Sequence, residues 1–405
     1  MIVRTFAIAT LCFLLQSCSG QPTQSESHAA NEPFSFHPLD PATKTQYTAE
    51  LEKQYYALLG TKGFNGSILV AKNGEVVFEN YQGFVNFKTK DPITSHTPFH
   101  LASVSKTFTG MAIMHLWEQG KLSLDDDIKK YFPELPYEGI TIQQLLTHRS
   151  GLNNYVYFLV NSKTEVYRVK NKRGRWVKKT RVIKLPVQLK PGFLTNQDML
   201  DYMVANKPET IFQPDRNFRY SNTNYALLAL IIEKVTATAY PKYMKDSVFT
   251  PLGMHDSYVF SIADTASYVP SFQANNVPYR LEKLDCIYGD KNVYSTVRDL
   301  LLWDKALYEG RFVSRSTQDL AYQPYSPENK SMHNYGLGWR LLTNPQERII
   351  YHNGWWHGNN TVFTRFVDDT ATIIVLGNRY NRNIYRARNL SKVFTGSTDS
   401  TALEE

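Results

Sequence analysis

The chain has 405 residues, 42% of them hydrophobic and 20% charged, with three cysteines, which is enough for a sizeable buried core and excludes both a disulfide-stapled mini-domain and a disordered polyelectrolyte. The formal charge of +8 would suggest a polyanion binder if it were spread along the chain. It is local instead, because residues 163–190 hold 11 Lys or Arg against the single acid Glu165, a net of +10, and the rest of the chain sums to −2.

Met1-Ile2-Val3-Arg4 followed by the apolar stretch Phe6 to Leu15 reads as a signal peptide over residues 1–17, too short to span a bilayer. Leu15-Gln16-Ser17-Cys18 resembles a bacterial lipobox, so Cys18 is the expected lipidation site. The protein is then exported to the cell envelope as a lipid-anchored periplasmic or outer-membrane protein, with an ordinary secretory signal as the alternative. Residues 18–45, rich in Ser, Gln, Thr, Pro and Asn, read as a flexible tether, 46–390 as the folded body, and 391–405 as a disordered tail. Beyond Cys12 and Cys18 only Cys286 remains, which predicts a body without an internal disulfide.

Ser67-Ile68-Leu69-Val70-Ala71-Lys72 and Glu75-Val76-Val77-Phe78 flank Asn73-Gly74, which predicts a β-hairpin. Ser103-Val104-Ser105-Lys106 is the only Ser-x-x-Lys of the chain and falls where a helix should begin, between Pro98 and the run Phe108, Met111, Ala112, Met114, Leu116. Residues three apart share a helix face, so Lys106 would lie beside the Ser103 hydroxyl. A serine nucleophile needs such help, and a lysine in a poorly hydrated pocket can lose its proton and act as the base. A helix start with a surface lysine is the alternative.

After the turn Thr147-His148-Arg149-Ser150-Gly151, the segments Thr164–Val169 and Arg175–Val177 flank Asn171-Lys172-Arg173-Gly174 and predict a projecting basic β-ribbon inserted over 163–190. It is either simply solvated or a contact for anionic lipid headgroups or wall polymers. Nucleic acid is not an expected partner of an exported chain without a binding motif.

Tyr220-Ser221-Asn222 precedes a helix with Ala226, Leu227, Leu230, Ile231 and Val235 on its apolar positions. Tyr220 there offers a phenolic acid or base, and Asn222 an amide to orient a substrate carbonyl or the lysine. Tyr351-His352-Asn353 spells the same pattern, so this triplet alone does not decide. Ile349-Ile350-Tyr351-His352-Asn353-Gly354 reads as a strand ending in a glycine, where a backbone can pass close to a ligand.

Arg348–Tyr351, Thr361–Val367 and Thr372–Leu376 form a second antiparallel group, and the pattern between the two ends is mostly helical. The expected fold class is therefore α/β (α+β): an antiparallel sheet built from both chain ends, flanked by helices, with a helical insertion lobe and a cleft between them. His352 and His357 are five apart and share neither a helix nor a strand face, and no carboxylate or Cys cluster completes a zinc set. No metal and no cofactor are expected. Trp355-Trp356 reads as a pocket wall, and His148 as a structural hydrogen-bonding residue near the cleft.

In chain order, Ser-x-x-Lys, Tyr-x-Asn and His-x-Gly resemble the three active-site elements of the serine β-lactamase and penicillin-binding-protein superfamily, in its class C-like branch with D-alanyl-D-alanine carboxypeptidases, D-aminopeptidases and family VIII-type esterases. Phe99–Ser103, Glu118–Asp126, Ile140–Leu152, Pro251–Met254, Asp299–Trp303 and Tyr335–Trp339 resemble that family's linking segments, so the likeness runs from about Gly63 to Arg379. It implies a β-lactamase/transpeptidase-like fold and a serine hydrolase acting on a small-molecule or peptide substrate, an amide, peptide or ester, with cell-wall D-amino-acid peptides among the candidates. Ser103 would be acylated with Lys106 as its partner. Tyr220 would share the acid–base work, while Asn222, His352, Asn353 and Gly354 would bind substrate, and the backbone N–H groups of Ser103 and Trp355 would form the oxyanion hole. One departure matters: His352 stands where many relatives carry lysine, and a neutral imidazole is no permanent clamp for a substrate carboxylate. That argues against an efficient β-lactamase and leaves peptidase, amidase and esterase chemistry open. A non-catalytic member of the fold that binds cell-wall material is the alternative, disfavoured because every catalytic position is filled.

Overall fold

The computed structural model describes residues 34–160, 162–184, 189–328, 331–344 and 347–395. The expected signal peptide, the expected lipidation site Cys18, the expected tether up to residue 33 and the tail from residue 396 lie outside the described residues. The elements that build the site are, in chain order, α1 (Pro41–Tyr55), β1 (Gly66–Lys72), β2 (Glu75–Gln82), α2 (Ser105–Glu118), β3 (Ser162–Lys170), β4 (Trp176–Lys184), α3 (Asn222–Thr236), α4 (Val297–Tyr308), β5 (His333–Tyr335), β6 (Arg340–Asn344), β7 (Glu347–Trp356), β8 (Asn359–Phe366) and β9 (Ala371–Gly377).

Seven of these strands form one antiparallel sheet in the order β5-β6-β7-β8-β9-β1-β2, so both chain ends do build it. β1 and β2 turn at Asn73 and Gly74, both with positive φ, as a tight two-residue hairpin requires. Alternation along each strand then divides the core into two layers. Ile68, Val70, Ile373 and Val375 pack with Leu51 and Tyr55 of α1 on one face. Leu69, Ala71, Ile374 and Leu376 pack with the helical body on the other, where Phe108, Met111 and Trp303 are buried. The buried Arg365–Asp304 pair, 2.5 Å, ties β8 to α4 across this second layer, with Thr372 also donating to the Asp304 carboxylate at 2.6 Å.

Two boundaries differ from expectation. The first helix begins at Pro41, inside the stretch expected to be tether, because the Asp40 side chain caps it by accepting from the Thr43 N–H at 2.9 Å and proline suits the first helical turn. At the other end a 3-10 run over Arg382–Ser391 and a short helix over Lys392–Thr395 carry the fold past 390, with Ile384, Ala387 and Leu390 buried against α1 and the sheet. Within the stretch expected to form the basic ribbon, β3 and β4 pair with each other, antiparallel, across the turn at Asn171–Arg175, and with no other strand among the described residues.

Candidate active site

The Ser-x-x-Lys element opens α2 as expected. Ser103 lies in a 3-10 turn over Ala102–Val104, and Lys106 in the first turn of the helix proper. The turn is strained, since Ala102, the residue before the serine, has φ +48, a conformation costly for a side chain bearing a Cβ. Its neighbours hold it there. The Ala102 N–H donates to His100 Nδ1 at 3.0 Å, and the same ring donates through Nε2 to Asn292 Oδ1 at 3.0 Å. Burial lowers the His100 pKa to about 4, so the ring stays neutral and can accept from the backbone. Phe99 and His100 also pair with Ser295 and Tyr294, which brings the Asp290–Ser295 segment against the turn that carries Ser103.

Lys106 is fully buried, and its Nζ meets three acceptors: Ser103 Oγ at 3.1 Å, Asn222 Oδ1 at 2.9 Å and the Asp290 carbonyl oxygen at 2.7 Å. A carbonyl oxygen can only accept. A neutral Lys106 therefore spends its two N–H groups on Asn222 and Asp290, and its lone pair faces the Ser103 hydroxyl. Burial lowers the Lys106 pKa, the charge of Asp290 partly offsets that, and Arg340 reinforces it, to give about 7. The amine is thus a competent base near neutral pH.

Asn222 is the first residue of α3, so Tyr220 and Asn222 flank a helix start as expected. Lys106 Nζ lies 4.9 Å from the Tyr220 ring centroid and the Arg340 guanidinium 5.5 Å from it. His148, with φ +57, packs its ring 4.2 Å from that of Tyr220 and accepts the Ser221 N–H at 3.2 Å. Burial, with the Lys106 and Arg340 cations adding to it, lowers the pKa of this imidazole well below the usual histidine range. That fits the structural role expected of it. Arg340 was not singled out in the sequence, yet β6 places a permanent cation beside Tyr220, which the third motif fails to supply.

The third motif is divided by strand alternation. His352 is fully buried, with Nδ1 donating to the Asn353 carbonyl at 2.8 Å and Nε2 accepting from the Tyr335 hydroxyl at 3.1 Å. Burial, with Arg340 and Lys106 adding to it, keeps its pKa well below the usual histidine range. The expected substrate contact is corrected: this ring packs behind the site instead of reaching into the cleft. Asn353 is corrected as well. It points to the opposite sheet face, where it shares a recess with Asn360, Tyr380 and Tyr385. The alternation of Ile350 and His352 with Tyr351 and Asn353 carried that signal in the sequence. Gly354 acts through what it lacks, because a Cβ there would stand 2.2 Å from Thr361 Oγ1 and 2.4 Å from the Leu101 carbonyl oxygen. Its absence lets β7 press against the turn that carries Ser103.

Ser103, Tyr220, Asn222, Trp355 and Trp356 line one cleft of about 780 Å³, together with Val156, Leu159, Val160 and Leu189 from the segments flanking the ribbon. Trp355 and Trp356 are its wall, as expected. Beside them, carboxylates do approach His357, contrary to expectation: ligand atoms of Glu282, Asp285 and His357 lie within 4.8 Å of one another, and Glu282 and His357 also line the cleft. The Asp285 oxygens accept from Trp356 Nε1 at 2.7 Å, His357 Nε2 at 3.1 Å and the Glu282 N–H at 2.7 Å. His357 uses that nitrogen as a donor, so the cluster braces the cleft wall.

A serine at a helix start, a buried lysine and an asparagine from a second helix start now stand together. Residues 51–393 match the family model described as Beta-lactamase. The chain belongs to the beta-lactamase family. It is 32% identical over 343 residues to "Penicillin-binding protein 4*" of Bacillus subtilis (strain 168), covering 80% of this chain and 70% of that one. A penicillin binding protein from Bacillus halodurans superposes with a TM-score of 0.67 at 21% identity, covering 86% of this chain and 98% of that chain. D-amino acid amidase from Ochrobactrum anthropi SV3 superposes with a TM-score of 0.66 at 20% identity, covering 88% and 98%. These two likenesses establish the fold, and the family relationship points to serine hydrolase-type chemistry.

Proposed function

We propose that this protein is an exported serine hydrolase of the class C-like branch that cleaves amide, peptide or ester substrates through an acyl-enzyme on Ser103, with cell-wall D-amino-acid peptides as the substrate class. The observation that carries this reading is the placement of Lys106, whose lone pair has one partner left to it, the Ser103 hydroxyl. Lys106 takes the Oγ proton as Oγ bonds to the acyl carbon. The oxyanion that forms is held by the backbone N–H groups of Ser103 and Trp355, on walls that Gly354 brings together. Tyr220 passes the proton to the leaving amine or alcohol as the acyl bond breaks, and water then releases the acid by the reverse sequence. The penicillin-binding and D-amino acid amidase names among the relatives support the substrate class.

Intact-mass analysis after treatment with a fluorophosphonate, an activated ester and benzylpenicillin tests the assignment. One fluorophosphonate adduct is expected on the wild type and none on Ser103→Ala. Equal labelling of the two would refute it. Because His352 is neutral and buried, turnover of short-chain p-nitrophenyl esters or D-amino-acid amides should exceed that of benzylpenicillin. The leader supports export with a lipid anchor at Cys18, and no described helix is long and apolar enough to cross a membrane. Cys18→Ser should move the protein from the membrane fraction to the soluble periplasm, and wild-type protein without an acyl chain would contradict the anchor.

A further inference from the structure

The ribbon pairs Val166 with Thr180, Arg168 with Lys178 and Lys170 with Trp176, and cross-strand partners share a face. One face therefore presents Val166, Trp176 and Val182, which are 59%, 64% and 70% exposed, interleaved with the cations Arg168, Lys170 and Lys178. It carries no acid. The other face is different in kind. Its one acid, Glu165, is paired with Arg181 at 2.5 Å, the Arg181 guanidinium covers the Tyr167 ring at 5.6 Å, and Val169, Val177 and Ile183 are half-buried.

The tip is ordered by its own hydrogen bonds. Asn171 Oδ1 accepts the backbone N–H groups of Arg173 and Arg175 at 2.9 and 3.1 Å, and Gly174 closes the turn with φ +72. That geometry sets Lys172, Arg173 and Arg175 at the far end, all exposed.

We propose that the Val166–Trp176–Val182 face docks on an anionic lipid bilayer. Aliphatic side chains and an indole can enter the headgroup boundary while Lys and Arg on the same face meet lipid phosphates. A soluble polyanion would use the cations and leave the exposed apolar row without a partner. A bilayer engages both. Since Val160 and Leu189, which bracket the ribbon in the chain, line the cleft, docking would hold the cleft mouth near the membrane independently of an acyl chain.

The test uses the full chain carrying Cys18→Ser, so that no acyl anchor contributes, in co-sedimentation with phosphatidylcholine vesicles with and without phosphatidylglycerol. At least a ~10-fold preference for the anionic vesicles is expected from several cations reaching one surface. Trp176→Ser with Val182→Ser should lower that binding by about 10-fold or more, as expected from the lost burial of two apolar side chains, and Arg168→Glu with Lys178→Glu should abolish the preference. Unchanged thermal melting of these variants would show that the body stays folded. Wild-type binding by the apolar variant, equal binding to both vesicle types, or equally tight binding to a soluble polyphosphate would each overturn the proposal.

Discussion

Replacing Asp290 by Asn should move the acid limb of the activity profile to lower pH. Lys106 must be neutral to accept the serine proton, and with its pKa lowered to about 7 the rate should rise with pH through that value. The charge of Asp290 favours the ammonium, so removing it lowers the Lys106 pKa and enlarges the neutral fraction at a given acid pH. Lys106 Nζ is 2.7 Å from the Asp290 carbonyl oxygen, which keeps the carboxylate within a few ångströms. Two unit charges about 5 Å apart interact by roughly 3 kcal/mol at an effective dielectric near 20, or about two pKa units. Tyr155 donates to Asp290 Oδ2 at 2.8 Å, and the buried Lys291 donates to Tyr155 Oη at 2.5 Å, so part of the charge is already answered. The expected displacement is therefore about one unit. Asparagine keeps the side-chain oxygen that Tyr155 needs and leaves the backbone carbonyl in place. The assay is kcat/KM for a p-nitrophenyl ester between about pH 5 and 9, because that ratio reports groups of the free enzyme. An acid limb that stays put or moves upward would refute the tuning role of Asp290 and the assignment of that limb to Lys106.

Lys106→Ala and Tyr220→Phe should each slow acylation by at least ~10²-fold, the usual loss when general acid–base help is removed, and unchanged fluorophosphonate labelling would remove that residue from the mechanism. Gly354→Ala should slow labelling by at least ~10²-fold without unfolding the protein, since a Cβ 2.4 Å from the Leu101 carbonyl oxygen forces β7 off the nucleophile turn and separates the oxyanion donors. A wild-type labelling rate would show that the approach of β7 is unimportant. Arg365→Met should destabilise the fold by about 3–5 kcal/mol in denaturant titrations, because it leaves Asp304 buried without its cation. A loss below about 1 kcal/mol, as for an exposed pair, would mean that the pair is less isolated from water than its burial indicates.

Much of this protein is determined locally. The Asn73-Gly74 hairpin, the helix starts that carry Ser103 with Lys106 and Tyr220 with Asn222, and the ribbon around Asn171–Arg175 each follow from residues a few positions apart, because turn chemistry and side-chain periodicity act over that range. Strand alternation would also have assigned His352 and Asn353 to opposite faces. The first boundary was legible in part, for Asp40-Pro41 is a helix-start signal inside a polar stretch that composition alone reads as tether.

What surrounds Ser103 and Lys106 was decided elsewhere. Asp290 is 184 residues from Lys106, and reaches it because Val293–Ser295 pairs beside Phe99–His100. Arg340 comes to Tyr220 from β6, 120 residues further along the chain, and Asp285 braces Trp356 from a segment 71 residues away. Periodicity fixes which face a residue takes within its own element, but not which elements meet. A lysine's pKa depends on all the groups that exclude water from it, and His100 can hold the strained Ala102 turn only once strand pairing has buried it. The residue types of the candidate site are therefore a local property of this chain, whereas the lowered pKa of Lys106 and the strain beside Ser103 are set by tertiary packing.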